Sequence, residues 1–107
     1  MSEKKLSFPK NKIKVLLLER INTIAKSIFE KEGYEIETFD ESLNEKELSE
    51  KIKDISILGI RSKTIITKKV LQSANRLLSI GAYCIGINQI NLKECQKKGV
   101  IVFNAPF

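Results

Sequence analysis

Histidine is absent from the 107-residue sequence, and cysteine occurs only twice, as Cys84 and Cys95. The two cysteines form neither a Cys-x-x-Cys pair nor any other spacing that is typical of metal ligands. Neither of them has a histidine that would act as its base. We therefore expect no metal site, and we interpret both cysteines as structural thiols, Cys95 on the buried side of a helix.

Long apolar segments are absent as well. No run of apolar residues approaches the roughly 20 that a membrane-crossing helix needs. The start, Met1-Ser2-Glu3-Lys4-Lys5, is charged and has neither the apolar segment nor the cleavage site of a secretory leader. We therefore expect a cytoplasmic protein without a membrane partner. The length and the composition, 42% hydrophobic and 30% charged, predict one globular domain.

Two common phosphate-binding motifs are also missing. Gly81 and Gly86 flank a short apolar loop, but their spacing is not Gly-x-Gly-x-x-Gly, and no Lys-Ser or Lys-Thr pair follows Gly86. The acidic residues cluster on predicted helix faces and at the Asp40-Glu41 turn, so no pair of carboxylates is placed for acid–base catalysis. The sequence therefore assigns no catalytic residue.

The net charge of +6 is unevenly distributed. Residues 30–54 carry ten acidic side chains against four lysines, whereas residues 55–107 carry eight basic side chains and only Glu94. A basic second half suits an anionic partner, either a nucleic acid or an acidic metabolite, although solvated surface lysines explain it equally well. The lysines are not interleaved with aromatic residues and no recognition motif is present, so we expect no nucleic-acid partner.

Strand and helix patterns alternate along the chain. Short apolar or alternating runs predict five strands, at residues 13–18, 34–39, 55–60, 77–80 and 100–103, with Gly81 closing the fourth. Between the predicted strands, apolar residues recur at helical spacing. Possible cap residues mark the ends of these helices: Asn44, Thr67 and Asn91 at the starts, and Gly33 and Gly99 after the last turns. This alternation predicts an α/β fold, a flavodoxin-like parallel sheet of strand order 2-1-3-4-5 with helices on both faces.

Both ends of the chain depart from this regular pattern. Residues 1–11 are predicted to be a loose polar arm. No helix follows the fifth strand, so we expect one side of the sheet to expose apolar residues such as Ile101 and Phe103. A chain with such an open edge is expected to be marginally stable or oligomeric.

The most informative stretch is the buried strand that ends in Gly59-Ile60 and continues as Arg61-Ser62-Lys63-Thr64. Open α/β sheets bind ligands at the carboxyl ends of their strands. Arginine is shaped to hold a carboxylate or phosphate through two parallel hydrogen bonds, so Arg61, Ser62 and Lys63 form a candidate anion site. The alternative is that these polar residues only mark the exit of the strand into water.

Two further stretches follow strand ends. The loop after Gly81 is either a plain strand-to-helix turn or a place where Gly86 allows a flat ligand to approach the backbone. Asn104 either forms an Asx-type turn with Ala105 and Pro106, which composition favours, or directs its amide toward a ligand.

Four segments are informative as a set: IKVLLLE at 13–19, GIRSKT at 59–64, IGAYCIGINQ at 80–89 and VFNAPF at 102–107. Taken together and in this order, they resemble the start of the bacterial D-3-phosphoglycerate dehydrogenases, a branch of the D-2-hydroxyacid dehydrogenase family. The resemblance implies that residues 12–107 are the first part of an incomplete substrate-binding domain, with the Rossmann NAD-binding domain and the catalytic histidine outside these residues. It also implies a homo-oligomeric full-length enzyme.

The resemblance further implies an activity and a set of site residues. The family oxidises 3-phosphoglycerate to 3-phosphohydroxypyruvate with NAD, in serine biosynthesis. Arg61 and Ser62 match residues that hold the anionic substrate, with Lys63 as a further phosphate contact. Three more positions match the cleft: Ile85 and Gly86 face the nicotinamide half, and Asn104 lies near the substrate. Many relatives have arginine or serine at Ala82 and aspartate at Asn88.

A different class of function stays open at this point. The chain is either a part of such an enzyme, inactive by itself, or a stand-alone flavodoxin-like module. The module would use the basic second half to bind an anionic metabolite or a protein partner.

Overall fold

A computed structural model describes residues 13–21 and 23–104, and these residues contain five strands. The strands are β1 (Lys14–Leu17), β2 (Glu35–Thr38), β3 (Ile57–Ile60), β4 (Ser79–Ala82) and β5 (Ile101–Asn104). All pairings are parallel and the spatial order is β2-β1-β3-β4-β5. The predicted α/β class and strand order are confirmed. The predicted polar arm at residues 1–11 and the tail at residues 105–107 lie outside the described residues.

The helices connect successive strands: α1 (Thr23–Lys31), α2 (Glu45–Lys51) with a 3₁₀ turn at Ile52–Asp54, α3 (Lys68–Ser73) and α4 (Leu92–Lys98). Within the part of the chain that the structure describes, no helix is long and apolar enough to span a bilayer. The predicted N-caps are confirmed by side-chain oxygens of Asn44, Thr67 and Asn91 that accept backbone N–H groups. Gly33 and Gly99 follow helix ends with φ of 88° and 74°, as predicted.

The alternating side chains of β1 and of Leu18, which directly follows it, show how the two faces of the sheet are covered. Leu16 and Leu18 are fully buried in the larger core cluster, which contains buried residues of α2, α3 and α4. Val15 and Leu17 belong to a smaller cluster on the other face, together with Phe29 of α1. Helices therefore lie on both faces, as predicted, but three of the four described helices share one face.

The face that carries α1 stays open next to β5. Ile101 and Phe103 of β5 are 61% and 56% exposed, which confirms the expected exposure. Ile28 of α1 is also exposed, at 57%. A shallow apolar cavity of about 270 Å³ extends over this face and is lined partly by Phe29 and Phe103.

The prediction that Gly81 closes the fourth strand is wrong. Gly81 lies inside β4 and pairs with Gly59 of β3. A Cβ atom on Gly59 would lie 2.7 Å from Leu17 Cδ2 and 2.9 Å from Ile21 Cδ1. A Cβ atom on Gly81 would lie 3.3 Å from the Tyr83 ring. The glycine pair therefore lets large side chains approach the sheet closely. The third strand is also shorter than predicted, since it begins at Ile57.

Candidate anion-binding site at the carboxyl edge of the sheet

Residues 61–64, here named the β3 loop, follow β3 at the carboxyl edge of the sheet. Arg61, Ser62 and Lys63 are exposed, whereas Thr64 is fully buried. No ion pair between described residues involves Arg61 or Lys63. Among the described residues, the cationic side chains of Arg61 and Lys63 are therefore unpaired, and the exposed Ser62 stands between them in the sequence.

The three exposed side chains of the β3 loop line a cavity of about 510 Å³. Glu19, which follows β1, and residues 40–42, which follow β2, complete the lining. The strand order reverses direction between β1 and β3, so this cavity lies at the switch point where open α/β sheets bind their ligands.

Glu19 holds the backbone of the β3 loop and is itself only 9% exposed. Its Oε2 accepts hydrogen bonds from the backbone N–H groups of Arg61 at 2.9 Å and Thr64 at 3.0 Å, and its Oε1 accepts one from Lys63 at 2.9 Å. Hydrogen bonds to a carboxylate are roughly twice as strong as neutral ones. The loop backbone is therefore fixed while the side chains of Arg61 and Lys63 stay exposed.

The same hydrogen bonds determine the protonation state of Glu19. Burial by itself raises the pKa of this carboxyl, but the Thr64 side chain and the three backbone N–H groups outweigh burial and hold the pKa below its ordinary value of 4.5. The buried Thr64 hydroxyl contributes to the lowered pKa of Glu19, although the geometry of Thr64 Oγ1 is not that of a hydrogen bond with any described residue. Glu19 is therefore ionised at neutral pH.

The charges around the cavity are unevenly arranged. Asp40 and Glu41 add two carboxylates on the β2 side. Arg20 Nη2 lies 3.7 Å from Asp40 Oδ2, but both side chains are highly exposed and such a pair contributes little. The carboxylates of Asp40 and Glu41 repel an anion from the β2 side, whereas Arg61 and Lys63 attract it to the side formed by the β3 loop.

Residues 83–89, here named the β4 loop, have a different character. Ile85 is 88% exposed, and a Cβ atom on Gly86 would meet no atom within 4 Å. No residue of the β4 loop lines the 510 Å³ cavity. The two residues predicted to face a cofactor therefore form an exposed surface next to the cavity, and the structure does not bring them into one pocket with Arg61.

Side-chain hydrogen bonds join the two loops. Gln89 Nε2 donates to the backbone oxygen of Arg61 at 2.9 Å and to Cys84 Sγ at 3.3 Å. Cys84 Sγ in turn donates to the backbone oxygen of Gly86 at 2.9 Å. These contacts support the interpretation of Cys84 as a structural thiol. Cys95 is buried in the core, as predicted, and burial raises the pKa of its thiol.

Asn104 is the last residue of β5, and the residues that would complete the favoured Asx-type turn, Ala105 and Pro106, lie outside the described residues. Its Nδ2 donates to the backbone oxygens of Ala82 at 3.2 Å and Cys84 at 2.6 Å. The side chain therefore fastens the β4 loop to β5. No hydrogen bond from a described residue reaches Asn104 Oδ1.

Glu19 is the residue of the site that sequence reasoning missed. A glutamate after an apolar strand shows only that the strand has ended. The predicted strand order, however, places β1 beside β3, and this adjacency puts the residue after β1 next to the residues after β3. An acidic residue at that position is the signal that could have been used.

Comparison with known proteins places the chain among dehydrogenases. The sequence model of the D-isomer specific 2-hydroxyacid dehydrogenase catalytic domain matches residues 15–107. The chain is 54% identical over 101 residues to D-3-phosphoglycerate dehydrogenase of Dictyostelium discoideum, a match that covers 94% of the chain and 25% of that protein. It is 41% identical over 104 residues to D-3-phosphoglycerate dehydrogenase of Escherichia coli K12, covering 96% of the chain and 25% of the enzyme.

A solved structure shows the same fold. NAD⁺-bound 3-phosphoglycerate dehydrogenase of Entamoeba histolytica superposes with a TM-score of 0.75 at 20% sequence identity, over 86% of this chain and 32% of that one. The chain therefore spans about a quarter of the length of the two curated relatives.

Proposed function

The chain belongs to the D-isomer specific 2-hydroxyacid dehydrogenases, and we propose that it is the substrate-binding part of an NAD-dependent D-3-phosphoglycerate dehydrogenase. The reaction is the oxidation of 3-phosphoglycerate to 3-phosphohydroxypyruvate, a step of serine biosynthesis. The observation that carries the proposal is an exposed arginine, Arg61, on a backbone that a buried carboxylate holds in place at the switch point of the sheet.

The chemistry of the β3 loop suits a substrate with two acidic groups. The planar guanidinium of Arg61 can bind a carboxylate or a phosphate through two parallel hydrogen bonds, with the Ser62 hydroxyl as a further donor. The ammonium group of Lys63 supplies a point charge for the phosphate. We assign Asn104 to the same substrate, through its Oδ1, which accepts no hydrogen bond from a described residue. Fixed cationic groups bind such a molecule and orient its carbon chain.

Only part of an NAD site can lie in these residues. Ile85 offers exposed apolar surface, and the open space beside Gly86 admits a flat ring, so both fit the border of a nicotinamide site. The sequence contains no glycine-rich phosphate loop and no histidine. NAD, when bound, supplies the acceptor for the hydride. We propose that other parts of the enzyme hold most of the cofactor and that this chain alone is inactive.

The proposal is tested by an NMR titration of the ¹⁵N-labelled chain with 3-phosphoglycerate. We expect weak binding, with a Kd on the order of millimolar, and shifts centred on the amides of residues 61–64. Arg61→Ala should weaken binding by about tenfold or more, because a charge-assisted contact is lost. Arg20→Ala is the matched control, since it removes the same charge from an adjacent exposed loop, and should change Kd by less than about twofold.

Two outcomes would contradict the proposal. Equal weakening by Arg61→Ala and Arg20→Ala would mean that binding reflects general positive charge. Absence of shifts in the β3 loop would place the ligand elsewhere. Isothermal titration with NAD adds a separate test, because tight NAD binding by this chain alone disagrees with the proposed division of the cofactor site.

A further inference from the structure

The buried carboxylate of Glu19 accepts hydrogen bonds from the backbone N–H groups of the proposed anion site. We propose that Glu19 is a positioning residue, whose carboxylate acts as a resident anion and fixes the β3 loop so that Arg61 and Lys63 present their side chains to the substrate. This inference rests on the proposed function of the β3 loop, and it assigns to Glu19 no contact with the substrate.

The contacts of Glu19 support a role confined to positioning. The three backbone N–H groups of Arg61, Lys63 and Thr64 converge on its two oxygens at 2.9 to 3.0 Å. Converging backbone N–H groups of this kind form the concavities that often bind phosphate. Since Glu19 already fills this one, a substrate anion has to be bound by the exposed side chains of the loop.

The backbone around Glu19 is built to deliver that carboxylate. Glu19 and Arg20 have φ angles of 63° and 56°, in the left-handed region that non-glycine residues seldom adopt. Such conformations are unfavourable for residues with a Cβ atom and persist where the surroundings determine them. The N–H groups of Glu19 and Arg20 donate to the backbone oxygens of Glu41 and Phe39, both at 3.3 Å, which ties this turn to the segment after β2.

Charge alone and positioning make opposite predictions for a substitution at Glu19. A negative charge in the wall of the cavity repels an anionic substrate, so its removal should strengthen binding if charge were the only effect. If Glu19 positions the loop, its removal should weaken binding because Arg61 loses its fixed backbone. Glu41 lines the same cavity with an exposed carboxylate and makes no side-chain hydrogen bond to the β3 loop among the described residues.

The experiment compares Glu19→Gln with Glu41→Gln in the whole chain, with the Kd for 3-phosphoglycerate as the readout. Glutamine has nearly the same shape as glutamate, but an NH₂ group replaces one carboxylate oxygen. At least one backbone N–H group of the β3 loop then faces a donor instead of an acceptor. We expect Glu19→Gln to weaken binding by about tenfold, because small displacements of an anchoring group have large effects. Glu41→Gln should strengthen binding by up to about threefold. Unchanged or stronger binding by a folded Glu19→Gln chain overturns the inference.

A second measurement needs no variant. When the wild-type chain is titrated with acid, the amide resonances of Arg61, Lys63 and Thr64 should shift together, with one midpoint below 4.5. Independent shifts, or a common midpoint at or above 4.5, contradict the role of Glu19. If the wild-type chain binds no 3-phosphoglycerate, the proposed function fails, whereas the acid titration still decides whether Glu19 holds the loop.

Discussion

The β3 loop and the β4 loop leave adjacent strands at the same edge of the sheet, but they are held by different forces. The β3 loop is fixed by charge-assisted bonds to one buried carboxylate, that of Glu19. The β4 loop is held by neutral hydrogen bonds of Gln89, Cys84 and Asn104, and its tip at Ile85 is exposed. The β3 loop therefore presents charged side chains on a fixed backbone, and the β4 loop presents an apolar surface.

This difference matches a division of work at the sheet edge. Recognition of an anion requires cationic groups at defined positions, because charge-assisted hydrogen bonds depend on geometry. Contact with a flat apolar ring depends mainly on accessible area. In the proposed function, the firmly held loop therefore binds the substrate and the exposed loop borders the nicotinamide.

The largest expected effect concerns the stability of the two loops. Glu19→Ala should lower the free energy of unfolding by about 2–4 kcal/mol, because it leaves the buried N–H of Thr64 and two neighbouring N–H groups without their acceptor. Gln89→Ala should cost about 1 kcal/mol, since its hydrogen bonds are neutral and partly exposed. Urea unfolding followed by circular dichroism measures both. Equal losses would show that the two loops are held alike.

A smaller effect, on kinetics, separates the two loops by function. In an active enzyme that contains this chain, Arg61→Ala should raise KM for 3-phosphoglycerate by about 10- to 100-fold, through loss of a charged contact. KM for NAD should change much less. Ile85→Ser serves as the β4 loop counterpart, with the larger effect on NAD. An unchanged KM for 3-phosphoglycerate in Arg61→Ala would remove this residue from the site.

The smallest effect is a pH dependence that only the β3 loop should show. The pKa of Glu19 is lower in the folded chain than its ordinary value of 4.5, so its contribution to stability is complete above 4.5 and is lost as the pH falls through the folded pKa. Glu19→Gln should therefore lose less stability than the wild type between about pH 6 and about pH 3. Asp54, whose pKa is lowered by its hydrogen bond to Lys14, contributes to both proteins. Parallel stability curves would contradict this account.

The topology could be predicted because its causes are local. The alternating strand and helix patterns, the caps at Asn44, Thr67 and Asn91, and the left-handed glycines at helix ends all act within a few residues. Strand order then follows from short, right-handed connections. These signals alone place Arg61, Ser62 and Lys63 at the correct edge of the sheet.

The details of the site could not be predicted because they depend on contacts between distant residues. Glu19 binds backbone groups 42 to 45 positions later in the chain. Asn104 donates to the backbone oxygens of Ala82 and Cys84, which lie 22 and 20 positions earlier in the chain. Gly81 lies inside a strand and pairs with Gly59, 22 positions earlier, at a place where a Cβ atom would lie 3.3 Å from the Tyr83 ring. In each case, the contact joins positions that are distant in the sequence.

The central claim is that the guanidinium of Arg61 binds the acidic end of the substrate. An experimental structure of the chain with 3-phosphoglycerate tests this claim most directly. The account predicts guanidinium nitrogens at about 2.7–2.9 Å from carboxylate or phosphate oxygens of the ligand, with the Glu19 hydrogen bonds intact. A ligand bound away from the β3 loop, or an Arg61 side chain packed against another part of the chain, would contradict it.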